Sequence, residues 1–345
     1  MRSILVFSLL ALAACSGSGS GSGSGPETAD VADTASADAA DATSSDDSAQ
    51  DDVLDGAGDP DAAADTLVMD TTPAPTWELP PPTELGGKRP AALRLPPGYD
   101  GAEALPVVFL LGGYWNLASD LDDWIDLSGR VAERGFALVL PDGTLDSDGA
   151  PFWNATDTCC DYDGSGVDDV GYLTDLLDEL ARRVHIDPDK VAFVGHSNGG
   201  FMAYRMACEM PRRVAAVASL AGSGFLDPSL CHADAPVSVL QVHGLEDDVM
   251  PFDGDDEAPG ALEMMDRWGA RAGCDLGTFH TDPKTYELVD DGVPNETTIA
   301  RFHAGCDAAY DLQLWELEGN DHYPEFRPAF TERLLDWVLA RSRPR

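Results

Sequence analysis

From residue 83 onward, short runs of uninterrupted apolar residues alternate with longer stretches in which apolar side chains recur every three or four positions. Segments 105–111 (LPVVFLL), 136–140 and 191–194 are of the first kind, and 214–220, 237–242 and 312–317 are mostly apolar. Runs this short, and apolar on both faces, read as strands buried within a parallel sheet. Segment 88–95 reads as an edge strand closed by Pro96-Pro97-Gly98. Helical spacing marks 119–135, 168–184, 201–206, 261–270 and 328–340, most clearly at Val170, Leu173, Leu176, Leu177 and Leu180. Acids in the first turns of 119–135 and a glycine at its end, Gly135, suit a helix N-terminus and C-cap. Strands alternating with helices predict one α/β domain over residues 83–345, a mostly parallel central sheet with helices on both faces. Such sheets bind ligands beyond the carboxyl ends of their strands. The turns after Leu111, Val194, Val242 and Leu317 are therefore where chemistry is expected.

Before residue 83 the pattern is different. Arg2 precedes a short apolar run, 4–14, that ends in Leu12-Ala13-Ala14-Cys15. The run is too short to span a bilayer and has the layout of an export signal. A Cys directly after Leu-Ala-Ala resembles the bacterial lipobox, whose Cys thiol is acylated and becomes the new N-terminus. Residues 1–15 are read as a lipoprotein signal with Cys15 as the lipidated residue. Ser16 after it implies, by the same resemblance, the outer membrane or cell surface. Residues 16–82 read as a disordered tether, alternating Ser and Gly at first, then Ala, Asp, Thr and Ser with fifteen acids and no Lys or Arg. Such a segment buries too little apolar surface to offset its ordering entropy.

Charge and cysteines narrow the classes further. The net charge is −41, with about −27 left on residues 83–345. That sign excludes nucleic acid as a partner, since phosphate binding needs the opposite one. Contact with a membrane is expected only through the lipid anchor, and the chain is read as a monomer. Seven Cys are present; with Cys15 lipidated, six remain, an even number that in an exported protein predicts up to three disulfides. Cys274 and Cys306 bracket the stretch between the last two predicted core elements and are expected to pair. No C-x-x-C or H-x-x-x-H spacing points to zinc, and neither metal nor organic cofactor is expected.

The candidate chemistry centres on Gly195-His196-Ser197-Asn198-Gly199, which fits G-x-S-x-G between a predicted strand and a predicted helix. In that context the motif is a nucleophile elbow, a strained turn that presents a Ser. Ser is a weak nucleophile at its own pKa, so a His must take its proton and a carboxylate must orient that His. Asp247 follows the strand ending at Val242, with Glu246 and Asp248 as alternatives. His322 follows the strand ending at Leu317, while His185, His232, His280 and His303 fall in connectors and His243 ends a strand. The order Ser, acid, His is that of the α/β-hydrolases. Two backbone N–H donors are needed for the oxyanion: Asn198 supplies one, and Tyr114 or Gly113 the other. Trp153 and Asn154 are candidate cleft residues, with packing as the alternative. Asp161 to Gly166 resembles the start of a calcium loop, but Tyr172 stands where that loop wants a carboxylate.

Taken together, LRLPPGYD (93–100), WNATDxCC (153–160), VDDVGYL (167–173), GHSNGGFMAY (195–204), VHGxxD (242–247) and GxxH (319–322) resemble the secreted polyhydroxybutyrate depolymerase and feruloyl esterase group of α/β-hydrolases. The resemblance covers about residues 84–345. It implies a serine esterase, without metal or organic cofactor, acting on hydroxyalkanoate polyester or on acyl esters of plant polysaccharide. Its nucleophile, acid and base fall on Ser197, Asp247 and His322. Three departures stand out: Gly112-Gly113 where the group has His-Gly, Tyr323 where it has Trp at the substrate rim, and no added polymer-binding module.

Overall fold

The computed structural model describes residues 77–290, 292, 294–302 and 305–344. The predicted signal with Cys15, the tether as far as residue 76, and His303 lie outside the described residues. Ordered packing begins before residue 83: the Trp77 ring stacks on His185 at 4.9 Å, and Glu78 pairs with Arg183 at 2.7 Å. In sequence, residues 26–76 hold neither an aromatic residue nor a Lys or Arg.

In chain order the elements are β1 (Glu84–Leu85), β2 (Ala91–Arg94), β3 (Leu105–Leu111), α1 (Ala118–Ile125), α2 (Val131–Arg134), β4 (Ala137–Leu140), the small hairpin β5 (Thr144–Leu145) and β6 (Pro151–Phe152), α3 (Asp169–Arg183), β7 (Ile186–His196), α4 (Asn198–Glu209), β8 (Ala216–Leu220), β9 (Ser238–Gly244), α5 (Ala261–Arg271), β10 (Phe279–Tyr286), β11 (Thr297–Phe302), β12 (Leu312–Leu317) and α6 (Pro328–Leu339). Ten strands form one sheet in the order β1-β2-β4-β3-β7-β8-β9-β12-β11-β10. The six central strands from β4 to β12 pair parallel, and both ends of the sheet are antiparallel.

Strand periodicity divides the core into two layers. Val107, Phe109 and Leu111 of β3 face the layer built by α3, α4 and α5, while Val108 and Leu110 face that of α1, α2 and α6. Val191 and Phe193 of β7 repeat the pattern against Ala192 and Val194. This is why the central strands read as unbroken apolar runs: each face of the sheet has its own covering. Burial of each such Leu or Phe contributes on the order of 2 kcal/mol.

Three features depart from the pattern read in the sequence. The helix expected over 119–135 is interrupted, because Asp126 adopts a left-handed conformation (φ 53°) and closes α1. Leu127 is then fully buried and a 3-10 turn leads into α2. Aspartate tolerates this conformation better than most residues, so the interruption has no glycine to announce it. The second departure is β10 and β11, which were not anticipated. Most of β10 is exposed, and Pro283 falls where the register shifts against β11. An edge strand with a proline at an irregularity shows no apolar alternation. The segment 88–95 is likewise not outermost, since the two-residue β1 lies outside β2.

The six cysteines pair as Cys159–Cys160, Cys208–Cys231 and Cys274–Cys306. The last is the expected pair and closes the stretch that holds β10 and β11. The bond between adjacent Cys159 and Cys160 was not anticipated. No described helix is long and apolar enough to cross a membrane.

Candidate active site

Strand order brings the four expected turns to one edge of the sheet. Leu111 of β3 lies opposite Gly195 of β7, and Leu317 of β12 lies opposite Gly244 of β9. The sheet order reverses between β3 and β7, the kind of position where α/β sheets form a crevice. Ser197 sits directly after β7 with φ 51° and ψ −122°, a conformation L residues rarely adopt. The glycines around it are dictated by contact: a Cβ on Gly195 would strike the Gly199 carbonyl, and one on Gly199 would strike the Leu111 carbonyl. Ser197 is tied in place by its own N–H, which donates to Leu220 O at 2.8 Å.

The turns after β9 and β12 are interlocked. Leu245 N–H donates to Leu317 O and Glu246 N–H to Asn320 O, at 3.0 and 2.9 Å. The result is a buried pair: His322 Nδ1 lies 2.8 Å from Asp247 Oδ2, with the two residues 1 % and 6 % exposed. Asp247 Oδ1 accepts from the N–H groups of Val249 and Met250 at 3.0 and 2.8 Å. Burial alone would raise the Asp247 pKa, but hydrogen bonds from His243 and His322 outweigh it and hold the carboxyl well below its usual range. Glu246 and Asp248 are exposed and show no such pairing with His322. The other ring nitrogen of His322, Nε2, is buried and hydrogen-bonds to no protein group. A His oriented at Nδ1 and open at Nε2 can accept a proton from a neighbouring hydroxyl and return it.

The loop after β3 lies against the elbow. A Cβ on Gly113 would lie 3.3 Å from Ser197 Cβ, so its backbone is already in van der Waals range of that residue. A Cβ on Gly112 would strike the Asn116 carbonyl, which explains why Gly-Gly and not His-Gly stands here. Tyr114 follows, its hydroxyl donating to Asp146 at 2.5 Å, and burial together with that contact raises its pKa. Asn198 opens α4, where backbone N–H groups have no intrahelical partner. Its side chain does unforeseen work: Oδ1 accepts from Trp153 N–H at 2.7 Å and Nδ2 donates to Trp153 O at 2.9 Å. Cys159 Sγ lies 3.4 Å from the same Nδ2.

The cleft reading of Trp153 is corrected. Trp153 is 1 % exposed, and its indole N–H donates to Gly112 O at 3.0 Å, so it supports the loop after β3 from beneath. Asn154 N–H donates to buried Asp169, which pairs with Arg89 at 2.6 Å. Arg89 lies over the Tyr172 ring at 3.9 Å. Trp153 is a packing element; Asn154 is half-buried, and its Nδ2 donates to Val167 O at 2.9 Å. Tyr323 is 56 % exposed beside the His322 ring, with centroids 4.8 Å apart. Trp115 and Tyr162, both exposed, flank Tyr114. Asp161 accepts from Ser165 and Gly166 N–H groups, capping its own turn. Among the described residues no group of three or more His, Cys, Asp or Glu is arranged to hold a metal ion.

His196, the residue before Ser197, carried no sequence signal beyond its place in the motif. It is buried, and its Nε2–H donates to the His322 carbonyl at 2.9 Å, pinning the two turns together across 126 residues. Burial, then repulsion from His322, lowers its pKa from 6.5 to about 3, although the bond to the carbonyl opposes this. The folded state therefore keeps His196 neutral while the unfolded chain binds a proton below about pH 6.5. Stability should fall as pH drops through the window from about 6.5 to 3, by about 1.4 kcal/mol per unit. Urea midpoints measured from pH 7 to pH 4 are expected to decline in the wild type and to flatten in His196→Gln. Parallel curves would refute the assignment.

The protein NocK of Nocardia uniformis subsp. tsuyamanensis, named as an esterase, is 32 % identical over 157 residues, 46 % of this chain and 44 % of NocK. Feruloyl esterase D of Neurospora crassa is 26 % identical over 251 residues, 71 % of this chain and 78 % of that protein. The chain thus spans under half of NocK, and it spans 61 % of two Aspergillus feruloyl esterase C proteins. An acetyl xylan esterase structure from Aspergillus awamori superposes with a TM-score of 0.53 at 14 % identity, covering 72 % of this chain and 93 % of its own, which shows a shared fold. The family model for esterases matches residues 83–337, and this chain belongs to that esterase family, with the α/β-hydrolase fold.

Proposed function

We propose that this chain is an exported serine esterase that cleaves carboxylic esters through an acyl-enzyme on Ser197. The observation that carries the reading is the buried Asp247–His322 pair, open at Nε2 and pinned through His196 to the strand that ends just before Ser197. In the proposed cycle His322 Nε2 takes the Ser197 proton as Oγ attacks the ester carbonyl. The Asn198 and Tyr114 N–H groups stabilise the oxyanion, and the protonated His322 gives its proton to the departing alkoxide. Water, deprotonated by His322, then releases the acid and restores Ser197. Asp247 stays ionised and stabilises the imidazolium.

For the substrate, relatives named as feruloyl and acetylxylan esterases favour acyl esters of plant polysaccharide. The exposed rings of Trp115, Tyr162 and Tyr323 suit an aromatic acyl group or a sugar face. Oligomers of hydroxyalkanoate are the second candidate, from the motif resemblance. The apolar N-terminal run and Cys15 support export and lipid anchoring at the outer membrane or cell surface, and three disulfides suit an oxidising compartment.

The test is an assay panel of methyl ferulate, p-nitrophenyl acetate and a 3-hydroxybutyrate oligomer, set beside a peptide anilide, with Ser197→Ala as control. Ester turnover is expected, with the control inactive. Peptide cleavage without ester cleavage would overturn the proposal in favour of a peptidase.

A further inference from the structure

One face of β9 is polar where the strand is most deeply buried. Leu240 and Val242 point to the apolar layer of α1, α2 and α6, whereas Gln241 and His243 share the face of Val239, toward α4. Gln241 is 0 % exposed and His243 3 %. Polar side chains at such positions are costly unless every polar atom is matched.

Here each match dictates the next. Tyr204, on α4 and fully buried, donates its hydroxyl to Gln241 Oε1 at 2.8 Å. That orients the amide, so Gln241 Nε2 donates to Gly222 O at 2.8 Å and to His243 Nδ1 at 3.0 Å. An accepting Nδ1 leaves the imidazole proton on Nε2. His243 Nε2 then donates to Met250 O at 2.7 Å and stands 3.4 Å from Asp247 Oδ2. Met250 is held at both ends, its carbonyl by His243 and its N–H by Asp247 Oδ1.

We propose that Tyr204, Gln241 and His243 form a buried positioning relay, running from the helix that follows Ser197 to the turn that carries Asp247. None of the three touches substrate. The relay fixes the plane of the Asp247 carboxylate, leaving Oδ2 aimed at His322 while the turn's own N–H groups occupy Oδ1. The inference rests on the esterase reading above. Misplacement of such a group by about 1 Å costs up to about 100-fold in rate.

The experiment measures kcat and KM on p-nitrophenyl acetate together with the low-field proton NMR signal of His322 Nδ1–H, assigned by its loss in His322→Gln. His243→Phe is expected to lower kcat by about tenfold or more with KM within about twofold. The low-field signal should be lost with it. His243→Gln keeps a donor at the Nε2 position and is expected to restore both readouts to within about threefold of wild type. Tyr204→Phe, which removes one oxygen, should give an intermediate loss. A kcat unchanged in both His243→Phe and Tyr204→Phe, or one that falls while the low-field signal stays intact, would overturn the relay. If His243→Phe does not fold, Tyr204→Phe decides alone by the same two readouts. A wild type that turns over no ester but whose low-field signal responds to these variants would support the relay and refute the esterase reading.

Discussion

Replacing Ser197 by alanine is expected to lower kcat on a soluble ester by about 10⁶-fold. The change deletes a single oxygen and keeps the Cβ, so the strained backbone at φ 51° meets the same steric demands before and after. The Ser197 N–H to Leu220 O bond and the acceptance from Phe201 N–H both belong to the main chain and survive. Stability should therefore stay within about 0.5 kcal/mol of wild type, as for a substitution that removes no packing or cap. The residual rate would come from the backbone donors and from binding. A serine-directed phosphonate should add its mass to the wild type and not to the variant. A kcat within about tenfold of wild type would refute the acyl-enzyme on Ser197.

Asp247→Asn is expected to lower kcat by about 10⁴-fold while leaving the fold intact. The reason lies in the asymmetry of the carboxylate's surroundings. Oδ1 accepts from two backbone donors, Val249 and Met250 N–H, so the amide oxygen of an Asn must take that position. Its NH₂ group then faces His322, which must accept at Nδ1 and carry its proton on Nε2. That tautomer cannot take the Ser197 proton. The pH profile separates this cause from simple misfolding, because some activity should return at alkaline pH as hydroxide replaces the missing base. Full activity at neutral pH would show that another group orients His322.

Much of the site was legible because its determinants are local. The elbow glycines Gly195 and Gly199 are required by contacts within a few residues or with the adjacent strand. Asp247 and His322 follow strands whose apolar runs mark the same end of a parallel sheet. His196, Gln241 and Tyr204 were not legible as parts of the site. Their partners lie 126, 2 and 37 residues away, and a buried His or Gln announces nothing until its neighbours are known. Trp153 erred in the opposite direction: an aromatic residue in a motif suggested a cleft, and the fold turned it inward beneath Gly112.

The chain's periodicity alone determined the layer architecture, since a strand covered on both faces must be apolar throughout and a covering helix must be apolar on one side. It also determined which turns meet at one edge of the sheet. Only the tertiary structure decided the break at Asp126, the antiparallel extension by β10 and β11, the neighbouring pair Cys159–Cys160, and the chain of hydrogen bonds behind Asp247. Each of these depends on which groups the fold brings together in space. Side-chain pattern records what a residue buries, but the direction of a hydrogen bond is set only when distant backbone groups have been brought together.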